Sequence, residues 1–138
     1  MRFLSINGQA YSSQACAKLF GKAKESIKVI IPDININFFW DDRLIKALKE
    51  AVARGVAVKV AHCETYNVGK IGILGVPGIE IFKLNKPHKR LVASVDAKHI
   101  VIERSKPRIR KIESGLILKN SILLAHEADA TFDELTGT

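Results

Sequence analysis

Methionine and tryptophan each occur once in this chain, tyrosine twice and cysteine twice. The cysteines, Cys16 and Cys63, make no CxxC pair and are read as small buried hydrophobes of a reducing compartment. Long apolar runs are missing too. Stretches such as Val56–Ala61 are far too short to span a bilayer, and the opening MRFLSINGQAYSS has no signal-peptide core. A cytoplasmic protein with no membrane partner is the expectation. The glycines form neither a GxGxxG nor a phosphate loop. His62 and Cys63 are adjacent and would point to opposite sides of a strand, so no metal-ligand spacing exists and no metal or other cofactor is expected.

What is present is an ordinary globular balance. The 138 residues are 47% hydrophobic and 26% charged, a size and composition that bury a core in one domain, 1–138, without disulfides or metals. The charge is lopsided: 22 Lys and Arg against 14 Asp and Glu give a net +8. Ten of those 22 lie between Lys83 and Lys111. Segregated positive charge favours polyanionic partners, nucleic acid or phosphate-bearing ligands; the alternative is a solvated basic surface.

Periodicity orders the rest. Tyr11, Ala15 and Leu19 recur four apart and predict a helix over Tyr11–Lys24, capped by Ser12 or Ser13. Ile27–Ile31 reads as a buried strand stopped by Pro32. Asp41 or Asp42 opens a helix whose apolar face is Leu44, Ile45, Leu48, Ala51 and Val52, with Gly55 as its left-handed terminator. Val56–Ala61 follows as a strand, which makes a right-handed parallel crossover with Ile27–Ile31. Asn67–Leu74 is a candidate short helix, and Ile79–Phe82 a third strand. Arg90–Val95 and His99–Ile102 form a hairpin about Asp96-Ala97-Lys98, Arg104–Lys111 reads as a basic loop around Pro107, and Gly115–Lys119 as a strand. A last helix, capped by Asn120 or Ser121, would turn Ile122, Leu123, Ala125, Phe132 and Leu135 to the core. The sum is an α/β fold, a mixed sheet with helices on both faces.

The run from Leu48 to Val58, with Ala51, Arg54, Gly55, Val56 and Val58 in place, resembles the L-x-x-A-x-x-R-G-V-x-V segment of the phospholipase-D-like superfamily. GVPGIEIFKLN resembles the strand before that family's catalytic pair, and GLILKNSILLAHEADATFDEL its closing strand and helix. The resemblance covers nearly the whole chain and implies a single-repeat domain. In that family a His-x-Lys-x4-Asp motif supplies a nucleophilic histidine and a phosphate-binding lysine, and two motifs meet in one site, so a homodimer is implied.

The motif is broken here. With His88 as its histidine, Arg90 falls on the lysine and Val95 on the acid; with Asp96 as its acid, Lys89 falls on the histidine and Leu91 on the lysine. A bulge between Arg90 and Asp96 would bring His88, Arg90 and Asp96 together, so His88 and Asp96 remain catalytic candidates. Arg104-Ser105 stands where the family has Gly-Ser, with Pro107 at the asparagine. The resemblance therefore implies a non-catalytic domain that binds phosphate-bearing ligands or nucleic acid through His88, Lys89, Arg90, Arg104, Ser105 and Lys106. The alternatives are a homodimeric, metal-independent phosphodiesterase or nuclease around His88, and an effector-binding module of a transcriptional regulator. Phe38, Phe39 and Trp40 follow a strand and could stack on a base or sugar ring, or form a hydrophobic plug or a dimer contact; Tyr66 and Asn67, after the second strand, fall on the same edge.

Overall fold

The computed structural model describes residues 2–6, 9–31, 42–63, 76–84, 90–106 and 111–137. Along the chain these form β1 (Arg2–Ile6), α1 (Gln9–Gly21), β2 (Ser26–Ile30), α2 (Asp42–Ala53), β3 (Ala57–Cys63), β4 (Ile79–Leu84), β5 (Arg90–Val95), β6 (His99–Lys106), β7 (Lys111–Lys119) and α3 (Ile122–Thr136). The strands make one seven-stranded sheet in the order β1-β7-β6-β5-β2-β3-β4. β2, β3 and β4 run parallel, and the β2–β5, β5–β6, β6–β7 and β1–β7 pairs are antiparallel. The mixed α/β sheet expected from the sequence is therefore the fold.

Alternation along β2 explains how the layers attach. Ile27 and Val29, with Ile31 just beyond the strand, enter the main core with Leu19 and Phe20 of α1 and Leu44, Leu48 and Ala51 of α2. Ile30 packs on the other side, with Ala61, Leu84 and Phe132 of α3. Lys28 also turns that way. Its Nζ lies 3.1 Å from an Asp133 carboxylate oxygen of α3 and 5.9 Å from the Phe132 ring centre.

The Arg-Gly-Val segment has a mechanical role. The Arg54 guanidinium donates to the carbonyls of Phe20 (3.1 Å) and Ala23 (2.9 Å), tying the end of α2 to the end of α1. Gly55 takes φ 88°, and the Val56 N–H returns to the Ala51 carbonyl at 3.0 Å. The chain thus reverses into β3 with Val56 and Val58 already buried.

Several expectations are corrected. β1 has no counterpart among the strands that periodicity predicts, yet it pairs along its whole length with β7, Arg2 opposite Lys119 through Ile6 opposite Gly115. α1 begins at Gln9, so Ser12 and Ser13 lie inside it rather than capping it. Much of the expected basic loop is strand, because β6 continues to Lys106 and β7 starts at Lys111. Extended pairing satisfies those backbone groups without help from a turn. On α3 the buried residues are Ala125, Ala128 and Phe132, whereas Ile122, Leu123 and Leu135 are exposed. The Asn67–Leu74 helix lies outside the described residues.

Candidate phosphate-binding edge

The parallel strands β2, β3 and β4 end on one edge of the sheet. β5 runs antiparallel to β2, with Ile30 opposite Val92, so it starts on that same edge. In α/β sheets ligand sites gather at the carboxyl ends of the parallel strands. Here the neighbouring antiparallel strands bring basic positions to that edge. Arg90 of β5 is the direct partner of Arg104 of β6, and Arg104 is in turn opposite Ser114 of β7. The β6–β7 register shifts between Arg104 and Ser105, after which Ser105 meets Ile112 and Lys106 meets Lys111. Two pairs of like-charged residue types thus oppose each other directly. Such pairs destabilise a sheet unless something neutralises them. The backbone brings together Arg90, Arg104, Ser105 and Lys106. His88 and Lys89 lie outside the described residues, as do Phe38, Phe39, Trp40, Tyr66 and Asn67. The Lys106–Lys111 pairing had no sequence signal, because Pro107 made the stretch read as a loop.

Asp96 is not part of this edge. It lies six residue steps from Arg90 along an extended strand, about 20 Å at ~3.3 Å per residue. β5 pairs without a register shift on both sides from Val92 to Val95, so no bulge draws the two together. Asp96 occupies the β5–β6 turn with φ 55°, followed by Ala97 at 52°, the sign pattern of a type I′ turn. The Lys98 N–H closes the turn on the Val95 carbonyl at 3.0 Å.

The Asp96 carboxylate is a structural clasp. Oδ1 accepts the backbone N–H groups of Lys24 (3.1 Å), Glu25 (2.7 Å) and Ser26 (3.1 Å), and Oδ2 that of Lys24 at 3.0 Å. The Asp96 N–H donates to the Ser26 carbonyl at 2.8 Å. The entry to β2 is thereby fixed to the hairpin. Burial pushes this carboxyl up, but the N–H groups of Glu25, Ser26 and Lys24, with the charge of His99, outweigh it and hold the group below its usual range. An aspartate in a turn with no partner in sequence range was the only signal for this role.

Both readings of the broken motif put an apolar core residue where a charged one belongs. With Asp96 as the acid, the lysine position is Leu91, 5% exposed; with His88 as the histidine, the acid position is Val95, 1% exposed.

No family model and no curated protein matches the chain. Solved structures do. TrmBL2, an archaeal chromatin protein described as having a novel mode of DNA binding, superposes with a TM-score of 0.74 at 16% identity, over 97% of this chain and 52% of its own. The chain thus spans about half the length of that protein. Nuc, a phospholipase D family member from Salmonella typhimurium, superposes with a TM-score of 0.74 at 19% identity, over 97% of this chain and 94% of its own. Polyphosphate kinase from Porphyromonas gingivalis gives 0.67 at 13%, over 99% of this chain and 26% of the kinase. The chain thus has the fold seen in Nuc, a phospholipase D family member. Among the described residues, no helix is long and apolar enough to cross a membrane.

Proposed function

We propose that this domain is a non-catalytic phospholipase-D-like module that binds phosphate-bearing ligands or nucleic acid along the β5–β6–β7 edge. The observation that carries the reading is the direct opposition of Arg90 and Arg104, continued by Lys106 and Lys111. A fold that keeps like charges opposed forgoes sheet stability, and a bound phosphate oxygen turns the same arrangement to advantage. Arginine also offers a two-pronged donor set that matches phosphate. The net charge of +8 works in the same direction by drawing in polyanions.

Loss of catalysis follows from the motif. A phosphodiester nucleophile needs a clamp for the phosphate and a group that orients its ring. One of the two is lost in either register: buried Val95 replaces the acid when His88 is the histidine, and buried Leu91 replaces the clamp when the acid is Asp96, which is committed to the backbone at the entry to β2. Nuc and TrmBL2 share this fold, one described as a phospholipase D family member and the other as an archaeal chromatin protein with a novel mode of DNA binding, and a nucleic-acid partner for this chain is in keeping with the second. The module acts as a homodimer, a reading supported by apolar side chains left exposed on α3.

Titration of a duplex DNA oligonucleotide at several salt concentrations tests this. Affinity should fall linearly with log salt, and an Arg90→Ala, Arg104→Ala double variant should bind less tightly with a shallower slope. Salt-independent binding, or an unchanged double variant, overturns the reading.

A further inference from the structure

β7 hands over to α3 at the end of the sheet opposite the basic edge, and the joint is held in an unusual way. Asn120 sits in the left-handed region at φ 57°, and its N–H donates to Nδ1 of His99 at 2.9 Å. The next N–H, that of Ser121, donates to the Lys98 carbonyl at 2.7 Å. Ser121 is the N-cap residue of α3, but its side chain makes no capping hydrogen bond. The Ser121 carbonyl accepts the Ala125 N–H at 2.9 Å, so whatever fixes Asn120 and Ser121 also fixes the first turn of the helix.

An imidazole nitrogen that accepts a hydrogen bond carries no proton. The neutral His99 ring therefore bears its proton on Nε2, and a second proton must go to Nδ1. There it meets the Asn120 N–H head-on, and the hydrogen bond breaks. We propose that His99 is a proton-operated latch on α3: the neutral ring holds the β7–α3 joint, and protonation releases it.

The surroundings set the latch closed at neutral pH. His99 lines a cavity of about 160 Å³ with Leu19 and Lys22 of α1, Val95 and Asp96 of the hairpin, and Lys119 of β7. Burial is the largest influence, and it disfavours the charged ring. The Asp96 carboxylate favours it, while Lys119 and Lys98 oppose it, and the balance lies below the ordinary imidazole value. The Asp96 carboxylate is already engaged by three backbone N–H groups and is not free to turn toward the ring. α3 adds no acidic side chain in its first turn. What the latch controls is the seating of a helix that carries the Asp133 partner of Lys28 and the Phe132 plug against Phe82. It operates whether or not the opposite edge binds an anion.

Amide hydrogen exchange on the intact chain, corrected for the intrinsic pH dependence of exchange, reads the latch. Protection of the Asn120 and Ser121 amides should fall about tenfold between about pH 7.5 and about pH 5 in the native protein. It should stay level in His99→Asn, whose side-chain oxygen accepts a hydrogen bond but does not titrate. Equal native protection at both pH values, or a parallel decline in His99→Asn, overturns the proposal. If the variant does not fold, the native ring still decides. Nitrogen NMR should show His99 protonated on Nε2 at neutral pH, with the Asn120 and Ser121 amide shifts following the titration of His99 and not that of the exposed His126. A ring protonated on Nδ1, or amides that follow His126, overturns it equally.

Discussion

Arg90 and Arg104 are direct partners across β5 and β6, so two positive residues oppose each other at the edge of the sheet where the parallel strands end. Replacing either should separate stability from binding. Arg90→Thr removes a like-charge pair and adds a β-branched residue, so the ligand-free protein should gain about 0.2–1 kcal/mol. DNA binding should weaken, with the slope against log salt falling by about 0.9 for each phosphate that is no longer neutralised. Thermal unfolding beside salt-dependent titration checks both halves. A variant that loses stability and keeps the full slope contradicts the assignment of this edge.

Asp96 should matter to the fold and not to ligand binding. Asp96→Ala leaves the N–H groups of Lys24, Glu25 and Ser26 without their acceptor, which costs about 1–3 kcal/mol. Since the folded state holds this carboxyl below its ordinary value of 3.8, the unfolded chain binds the proton more readily. The stability it contributes is therefore complete above that value and lost as pH falls through it toward the folded value. Denaturant unfolding should show a smaller decline below about pH 4 in Asp96→Ala than in the native chain. An equal acid decline in both would place the clasp elsewhere.

Gly78, just before β4, takes φ 91°, and a Cβ there would sit 2.6 Å from Cγ1 of Val52. Gly78→Ala combines a left-handed backbone with a clash against a branched side chain of α2, so it should cost about 1–3 kcal/mol. Gly55→Ala shares the positive φ but meets nothing within 4 Å, and should cost less. A chemical-denaturation midpoint for each variant tests the ranking.

How much of this was legible in the sequence depends on whether a residue answers to its neighbours or to distant chain. Ile27–Ile31, Leu48 and Val58 carry periodicity, so the central strands and α2 could be placed from pattern alone. Arg54-Gly55-Val56 marked a helix exit because a glycine in that position reports a backbone conformation. β1 was missed, since its identity lies in pairing with Lys119–Gly115 at the far end of the chain. The same limit applies to α3. Ile122 and Leu123 look like core by composition, but the sheet meets the helix through Ala125, Ala128 and Phe132. In the candidate site, the excess of Lys and Arg was countable, whereas the opposition of Arg90 to Arg104 is a matter of register. Asp96 was drawn toward catalysis by its distance from His88 in sequence, and only the unbroken pairing of β5 removes it.

Hydrolysis provides the sharpest test of the inactive reading. In either register one required group is an apolar side chain, Val95 in place of the acid or Leu91 in place of the clamp, so turnover of a phosphodiester such as bis(p-nitrophenyl) phosphate should not exceed background, and His88→Ala should change nothing. Displacing a reacting group by about 1 Å already costs about 100-fold, and a missing acid or clamp costs more. Robust turnover abolished by His88→Ala would sink the proposal and restore a dimeric phosphodiesterase.

The exposed apolar residues on α3 lead to the assembly prediction. Ile122, Leu123, Leu124 and Leu135 are the large hydrophobics left exposed among the described residues, from 39% to 83%, and all four belong to this one helix. Leu124, Thr131 and Leu135 follow one another at helical spacings of seven and four, a stripe without charge along the flank of α3 beside the buried Ala128. Glu127 and Glu134 stand outside that stripe, and α3 contains no Lys or Arg. A second copy packing stripe to stripe would bury the leucines while bringing two acidic helices together. The apolar part favours association and the charges oppose it, so added salt should strengthen the dimer by screening the repulsion. Salt should weaken DNA binding over the same range. Sedimentation velocity at increasing salt should show dimer rising in the native chain, and Leu124→Ser with Leu135→Ser should shift it to monomer without lowering the unfolding midpoint. Dimer that dissociates as salt rises would mean that an acidic face meets a basic one, and would move the interface off this stripe.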